Sequence, residues 1–168
     1  MIREIVAALS SLAALVALES GTGVALELLK HKWAQHPELL AILPALMDFR
    51  GNVALAHSSR ATTAQHLGDD RAMVDSTVAT MIACLIVPPF IAFAVHEMYG
   101  GNLEELAAVA VLTMLAVASV VTPFTVAVVK ASVRLGLDPD HVAPALTTSL
   151  SDILTVVFTF LIAGVIIS

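Results

Sequence analysis

Between Leu106 and Val129 the chain carries no charged residue. About 20 consecutive apolar residues suffice for a helix to cross the hydrocarbon core of a bilayer, so this run alone constrains the fold. Composition extends the constraint to the whole chain of 168 residues. Apolar residues make up 58% and charged residues 13%. A soluble domain of this size cannot bury that much apolar surface and still present a charged exterior. The surplus must face lipid, which predicts an all-α integral membrane protein. The net charge of -6 argues against nucleic acid as a partner, since that role needs clustered Lys and Arg.

Five spanning segments are expected, at about 5–29, 39–65, 72–97, 104–134 and 140–167, forming a single domain with no soluble regulatory domain. The N-terminal segment has a charged start and an apolar run, but nothing resembling a signal-peptide cleavage site followed by a soluble region. It therefore reads as the first membrane helix. Pro88–Pro89 inside the third segment predicts a kink. Cys84, the lone cysteine, reads as a core thiol. Orientation follows from Lys and Arg: with the N-terminus inside, the cytoplasmic ends collect Arg3, Arg60, Arg71, Lys130 and Arg134, and the outer ends only Lys30 and Lys32. This predicts a multi-pass protein of the cell membrane with its C-terminus outside. Trp33 and Tyr99 are then expected as interfacial anchors on the outer side.

Against this background "LMDFRGNVALAHSSR" (46–60) is out of place, because ionisable groups at membrane depth are costly and mark function by default. Asp152 is the sharpest case. Thr148, Asp152, Thr155 and Thr159 recur at helical spacing and form one polar stripe, while Leu150, Ile153, Leu154 and Val157 lie elsewhere on the helix. A carboxylate flanked by hydroxyls suits a hard cation with oxygen ligands. Gly51-Asn52 offers a second group: glycine permits close approach or a local break, and the Asn amide gives a neutral oxygen. Pro44-Ala45-Leu46 recurs as Pro144-Ala145-Leu146, with Asn52 and Asp152 eight residues after the respective prolines. Two helices entering one site by similar breaks would leave such an echo.

Asp48 lies one turn before Asn52, and either binds cation or neutralises Arg50. Glu19, beside Thr22 and Gly23, carries the same two alternatives. Asp75 reads either as an ion attractor at a pathway mouth or as a solvated helix start, the latter preferred. The polar run "HSSRATTAQH" is expected to solvate the inner end of the second segment. His57 and the other histidines show no metal-ligand spacing. No phosphate loop, nucleophile elbow or cysteine pair is present, so the chain does not read as an enzyme.

"LPALMDFRGNVALAHSSRATTAQHLG" resembles the second-helix motif of the MgtE-type magnesium transporters and their animal relatives in solute carrier family forty-one. "GLDPDHVAPALTTSLSDILTVV" resembles the family's last-helix motif, with its Gly-Leu-Asp-Pro turn and intramembrane aspartate. The likeness runs from about Leu12 to the end. It implies a five-helix protomer paired about a two-fold axis, with an ion path between protomers lined by the second and fifth helices. Asp152 stands where the family's pore aspartate stands, and Gly51-Asn52 matches its Gly-Asn. Ser59, Arg60 and Thr63 follow the animal branch. Asp48 and Glu19 occupy positions where small residues are expected, and Ala54 one where the animal branch has an acid. Bacterial members carry large cytoplasmic regulatory regions before the membrane part.

The expected function is therefore transport of a divalent cation, foremost Mg²⁺, by a homodimer. The metal would be met by Asp152, Asn52, Asp48, Thr148, Thr155, Gly51 and Glu19. The alternatives are a Na⁺- or H⁺-coupled Mg²⁺ exchanger, a carrier of another divalent metal such as Mn²⁺ or Co²⁺, and a non-transporting half of a heteromer. The softer metals rank lower because no Cys, His or Met is expected beside Asp152.

Overall fold

In the computed structural model the described residues are 16–17, 19–24, 26–28 and 33–167. They contain four long helices: α1 (Pro37–Leu67), α2 (Asp70–Tyr99), α3 (Leu103–Arg134) and α4 (Pro139–Ile166). All four are long and apolar enough to cross a membrane. At about 1.5 Å per residue they measure roughly 42–48 Å, against about 30 Å of hydrocarbon, so their ends reach the headgroup layers. The expected first segment lies largely outside the described residues. Its described part, within 16–28, is helical.

Short connections force neighbouring helices to run antiparallel, and local chemistry sets each reversal. After α1, Gly68 takes a left-handed conformation (φ 66°) and the Asp69 amide donates to the Ala64 carbonyl at 2.9 Å. The Asp69 carboxylate then accepts from the amides of Arg71 and Ala72, capping α2. Asn102 caps α3 by accepting from the amides of Glu104 and Glu105. Asp138 caps α4 through the Asp140 amide, and Pro139 supplies the first turn. Neither Pro44, Pro88–Pro89, Pro123 nor Pro144 ends its helix.

The helices close into a bundle in which α1 packs against all three others, and α4 returns to contact both α1 and α3. Leu39, Ile42, Leu43 and Leu46 of α1 meet Leu106, Val109, Ala110 and Met114 of α3, with Cys84, Val156 and Phe160 filling the remaining space. Farther along, the contacts are made by small residues, among them Ala54, Ala61, Ala64, Ala118 and Ala143. Small side chains let backbones approach closely, which is how helices associate where lipid removes the hydrophobic drive. Several buried threonines spend their hydroxyl hydrogen on the preceding turn, as Thr125 does on Val121 and Thr147 on Ala143, both at 2.8 Å. The face of α2 bearing Val78, Ile82, Ile86, Phe90 and Phe93 is exposed and apolar, as a lipid-facing surface must be.

Three expectations are corrected. Helix α1 runs unbroken through Gly51, and α4 through the Pro144 motif, so no break leads into the site. The run 57–66 does not simply solvate a helix end, because His57, Ser58, Ala61, Thr62 and Ala64 are buried against neighbouring helices. Trp33 is not an exposed anchor. It is buried and stacks on Phe160, with ring centroids 5.9 Å apart, whereas Tyr99 is exposed.

Candidate functional site

On α1, Asp48, Gly51, Asn52 and Leu55 share one face at spacings of three and four residues. On α4, Thr148 and Asp152 lie one turn apart. The α1–α4 contact brings the two faces together around an open cavity of about 290 Å³, lined by these six residues and Met47. Gly51 has nothing within 4 Å of where a Cβ would stand, so its missing side chain leaves open space beside the cavity. The Thr148 hydroxyl donates to the Pro144 carbonyl at 2.9 Å, leaving its lone pairs free to accept or to ligate. Two carboxylates, an amide oxygen and a hydroxyl oxygen therefore converge on one space. All are hard donors.

The donor set is sparse. Among the described residues no group of three or more His, Cys, Asp or Glu side chains is placed to enclose a metal. A dehydrated ion would be under-ligated here, but a hydrated one would not. Six waters occupy about 180 Å³ at roughly 30 Å³ each, which the cavity can contain.

Thr155 and Thr159 continue the polar stripe of α4 but are fully buried, and neither lines the cavity. The Thr155 hydroxyl donates to the Ser151 carbonyl at 2.7 Å. Glu19 approaches from the N-terminal segment: the Ser149 hydroxyl donates to its Oε1 at 3.0 Å. Ser149 stands three residues before Asp152, so Glu19 meets α4 one turn from that carboxylate. Helical spacing did not reveal Ser149, because it sits about 100° around α4 from Thr148.

Arg50 speaks against one of the two alternatives for Asp48 and Glu19, that they neutralise it. It is 1% exposed, turns away from the cavity into the bundle beside Cys84, and leaves Nε and Nη1 without hydrogen-bond partners. Among the described residues no ion pair joins it to Asp48 or Glu19. Met47 also departs from expectation by lining the cavity that holds Asp152. Its place was legible as one turn before Gly51 on the same face.

A second cavity, of about 540 Å³, opens between the end of α1 and the start of α2. Ser59, Arg60, Thr63 and Leu67 line one side, and Ala72, Asp75, Ser76 and Ala79 the other. Just inside it, His57 Nδ1 lies 2.9 Å from the Ser76 hydroxyl and ties the two helices together.

Comparison with known proteins bears on the first cavity. The chain is 27% identical to solute carrier family 41 member 3 of Rattus norvegicus over 133 residues, 70% of this chain and 29% of that relative. It thus spans less than a third of the relative's length. No solved structure matches. The MgtE family model, described as a divalent cation transporter, matches residues 43–162, an interval that contains every residue lining the α1–α4 cavity. The chain belongs to the MgtE family of divalent cation transporters.

Proposed function

We propose that this chain carries divalent cations, foremost Mg²⁺, across the membrane as a two-fold homodimer of five-helix protomers, along a path lined by α1 and α4. The observation that carries the reading is the convergence of Asp152, Asp48, Asn52 and Thr148 on one open space large enough for a hydrated ion. One protomer supplies too few ligands for a dehydrated ion, and a two-fold axis doubles them. Mg²⁺ gives up water reluctantly and is commonly held by one or two carboxylates plus retained waters. Opposed Asp152 carboxylates would attract the hydrated ion, with Asn52 and Thr148 bonding its water shell. Thr155 would support the α4 backbone from behind. The N-terminus lies on the cytoplasmic side in this arrangement, by the placement of Lys and Arg.

Mg²⁺ uptake into liposomes containing the purified chain, compared with Asp152→Ala of equal oligomeric size, tests this. Uptake by the wild type alone is expected. A silent wild type would remove the homodimeric transporter and favour the half of a heteromer. Met47 makes Mn²⁺ and Co²⁺ the competitors to include, because a thioether favours softer ions than Mg²⁺ does.

The contact of Glu19 with Ser149, close to Asp152, favours a second reading, the coupled exchanger. Two neighbouring carboxylates bind a proton or Na⁺ more readily than one alone. Coupling would make uptake respond to an imposed Na⁺ or pH gradient, and Glu19→Gln would abolish the response. Uptake indifferent to both gradients would reject it.

A further inference from the structure

The larger cavity, between α1 and α2, shares no lining residue with the α1–α4 cavity. Its volume of about 540 Å³ falls within the roughly 300–1,000 Å³ of small-molecule pockets. It presents one cation, Arg60, and one anion, Asp75. The ion pairs confined to the described residues are His36–Glu38 and His141–Asp138, so these two charges face one space without joining each other. Opposite charges held apart across a cleft match a ligand that carries both. The hydroxyls agree with this. Thr63 spends its hydrogen on the Ser59 carbonyl at 3.1 Å and presents lone pairs, which suit an ammonium. Ser59 lines the same cleft as Arg60 and offers a hydroxyl that can donate to an anion.

Position narrows the ligand further. The cleft occupies the last turns of α1 and the first turns of α2, and helices of this length place such turns in the headgroup layer. From Ala79 the cavity face of α2 continues at helical spacing as Ile82, Ile86, Phe90 and Phe93, which are 50, 54, 69 and 51% exposed. The cleft, with its two charges, thus runs into an apolar stripe directed at lipid.

We propose that this cleft binds a phosphodiester bearing a primary ammonium, the headgroup of phosphatidylethanolamine, with the acyl chains lying on the α2 stripe. Arg60 takes the phosphate in a forked pair of charge-assisted hydrogen bonds, aided by Ser59. Asp75 and the Thr63 lone pairs accept from the ammonium. Phosphatidylcholine presents the same charges but has no N–H to donate, so Asp75 is the residue that distinguishes the two lipids.

The purified protein is equilibrated with vesicles of phosphatidylglycerol containing phosphatidylethanolamine or phosphatidylcholine, and retained lipid is read by native mass spectrometry. The expected result is a preference of about tenfold for phosphatidylethanolamine, the worth of about one charged hydrogen bond at the low end of its range. Asp75→Asn should remove the preference while keeping both lipids bound, and Arg60→Gln should weaken both. Ala79→Leu fills the cleft without touching a charge and should release the lipid. Displacement by soluble glycerophosphoethanolamine would place recognition in the headgroup alone, and resistance to it would bring in the α2 stripe. Equal retention of the two lipids overturns the proposal. So does retention unchanged in Ala79→Leu, or a change of oligomeric size in Arg60→Gln, which would make the cleft a contact between protein chains.

Discussion

Replacing Asp152 by Asn removes one charge from the α1–α4 cavity and little volume, so the expected loss can be worked from geometry. A sphere of 290 Å³ has a radius of about 4 Å, which keeps a centred ion about 5 Å from the carboxylate oxygens. For a divalent ion at that distance, Coulomb's law gives about 1.7 kcal/mol at the dielectric constant of water and about 6.6 kcal/mol at an effective value of about 20. The cavity is open, which favours the lower end. Even that end corresponds to more than a tenfold change in affinity. Asp152→Asn should therefore raise the half-saturating Mg²⁺ concentration for liposome uptake by at least about tenfold, and a partnered Asp152 in the dimer would add to this. Asp152→Glu keeps the charge and should lose much less. The assay is initial uptake against Mg²⁺ concentration, with each variant checked for wild-type oligomeric size. Half-saturation unchanged in Asp152→Asn would refute the electrostatic argument. Equal loss in Asn and Glu would refute it differently, by making shape rather than charge decisive.

Arg50→Met should leave thermal stability unchanged or raise it, because a buried cation with two partnerless nitrogens is replaced by an apolar chain of similar length. A loss of about 3–5 kcal/mol in reversible unfolding would instead reveal a broken buried ion pair. Gly101→Ala should destabilise by about 1–2 kcal/mol, since Gly101 has φ 89° and an added Cβ would stand 3.0 Å from Cγ of Glu38. The Glu38→Ala background should relieve the steric part, which a double-mutant comparison of thermal midpoints would measure. The Asp138 carboxyl is held below its ordinary range by the Asp140 amide it accepts from, and further by His141. A depressed carboxyl contributes stability above its unfolded value, near pH 4, that is lost as pH falls through the lower folded value. Protection against hydrogen exchange in the first turn of α4 should therefore fall below about pH 4 in the wild type, with no such transition in Asp138→Ala.

The membrane character of the chain was legible because it depends only on runs of apolar residues, and lipid imposes that requirement on every span. The site was legible in part for a related reason. Asp48, Asn52, Thr148 and Asp152 are polar where lipid forbids it, and helical spacing puts each pair on one face. Thr155 shares that spacing yet lies inside the bundle, because a stripe about three turns long passes from an open cleft into a packed interface as neighbouring helices converge. Spacing gives the face of a helix but not what covers it. Tertiary packing alone decides that, and it also buried Trp33 against Phe160. The larger cavity left a weaker trace. Arg60 and Asp75 belong to different helices and read, one at a time, as ordinary charges at a membrane boundary.

Arg50 shows most clearly why a cluster of charges in sequence is not a cluster in space. Asp48, Arg50 and Arg60 lie within four turns of α1, and the sequence leaves Asp48 either an ion ligand or a partner of Arg50. Each residue advances about 100° around a helix, so Arg50 points about 160° away from Asp48. Asp48 consequently faces α4 across the open cavity, while Arg50 is driven into the bundle against α2. Arg60 lies three turns beyond Asp48 and lines the cleft on the α2 side, near the boundary. The three charges thus meet three different surroundings: an open cavity, a closed interior and a cleft at headgroup level. An isolated helix bearing them would be unfit for lipid. In this fold α1 contacts every other long helix, and that central position lets one segment hold all three.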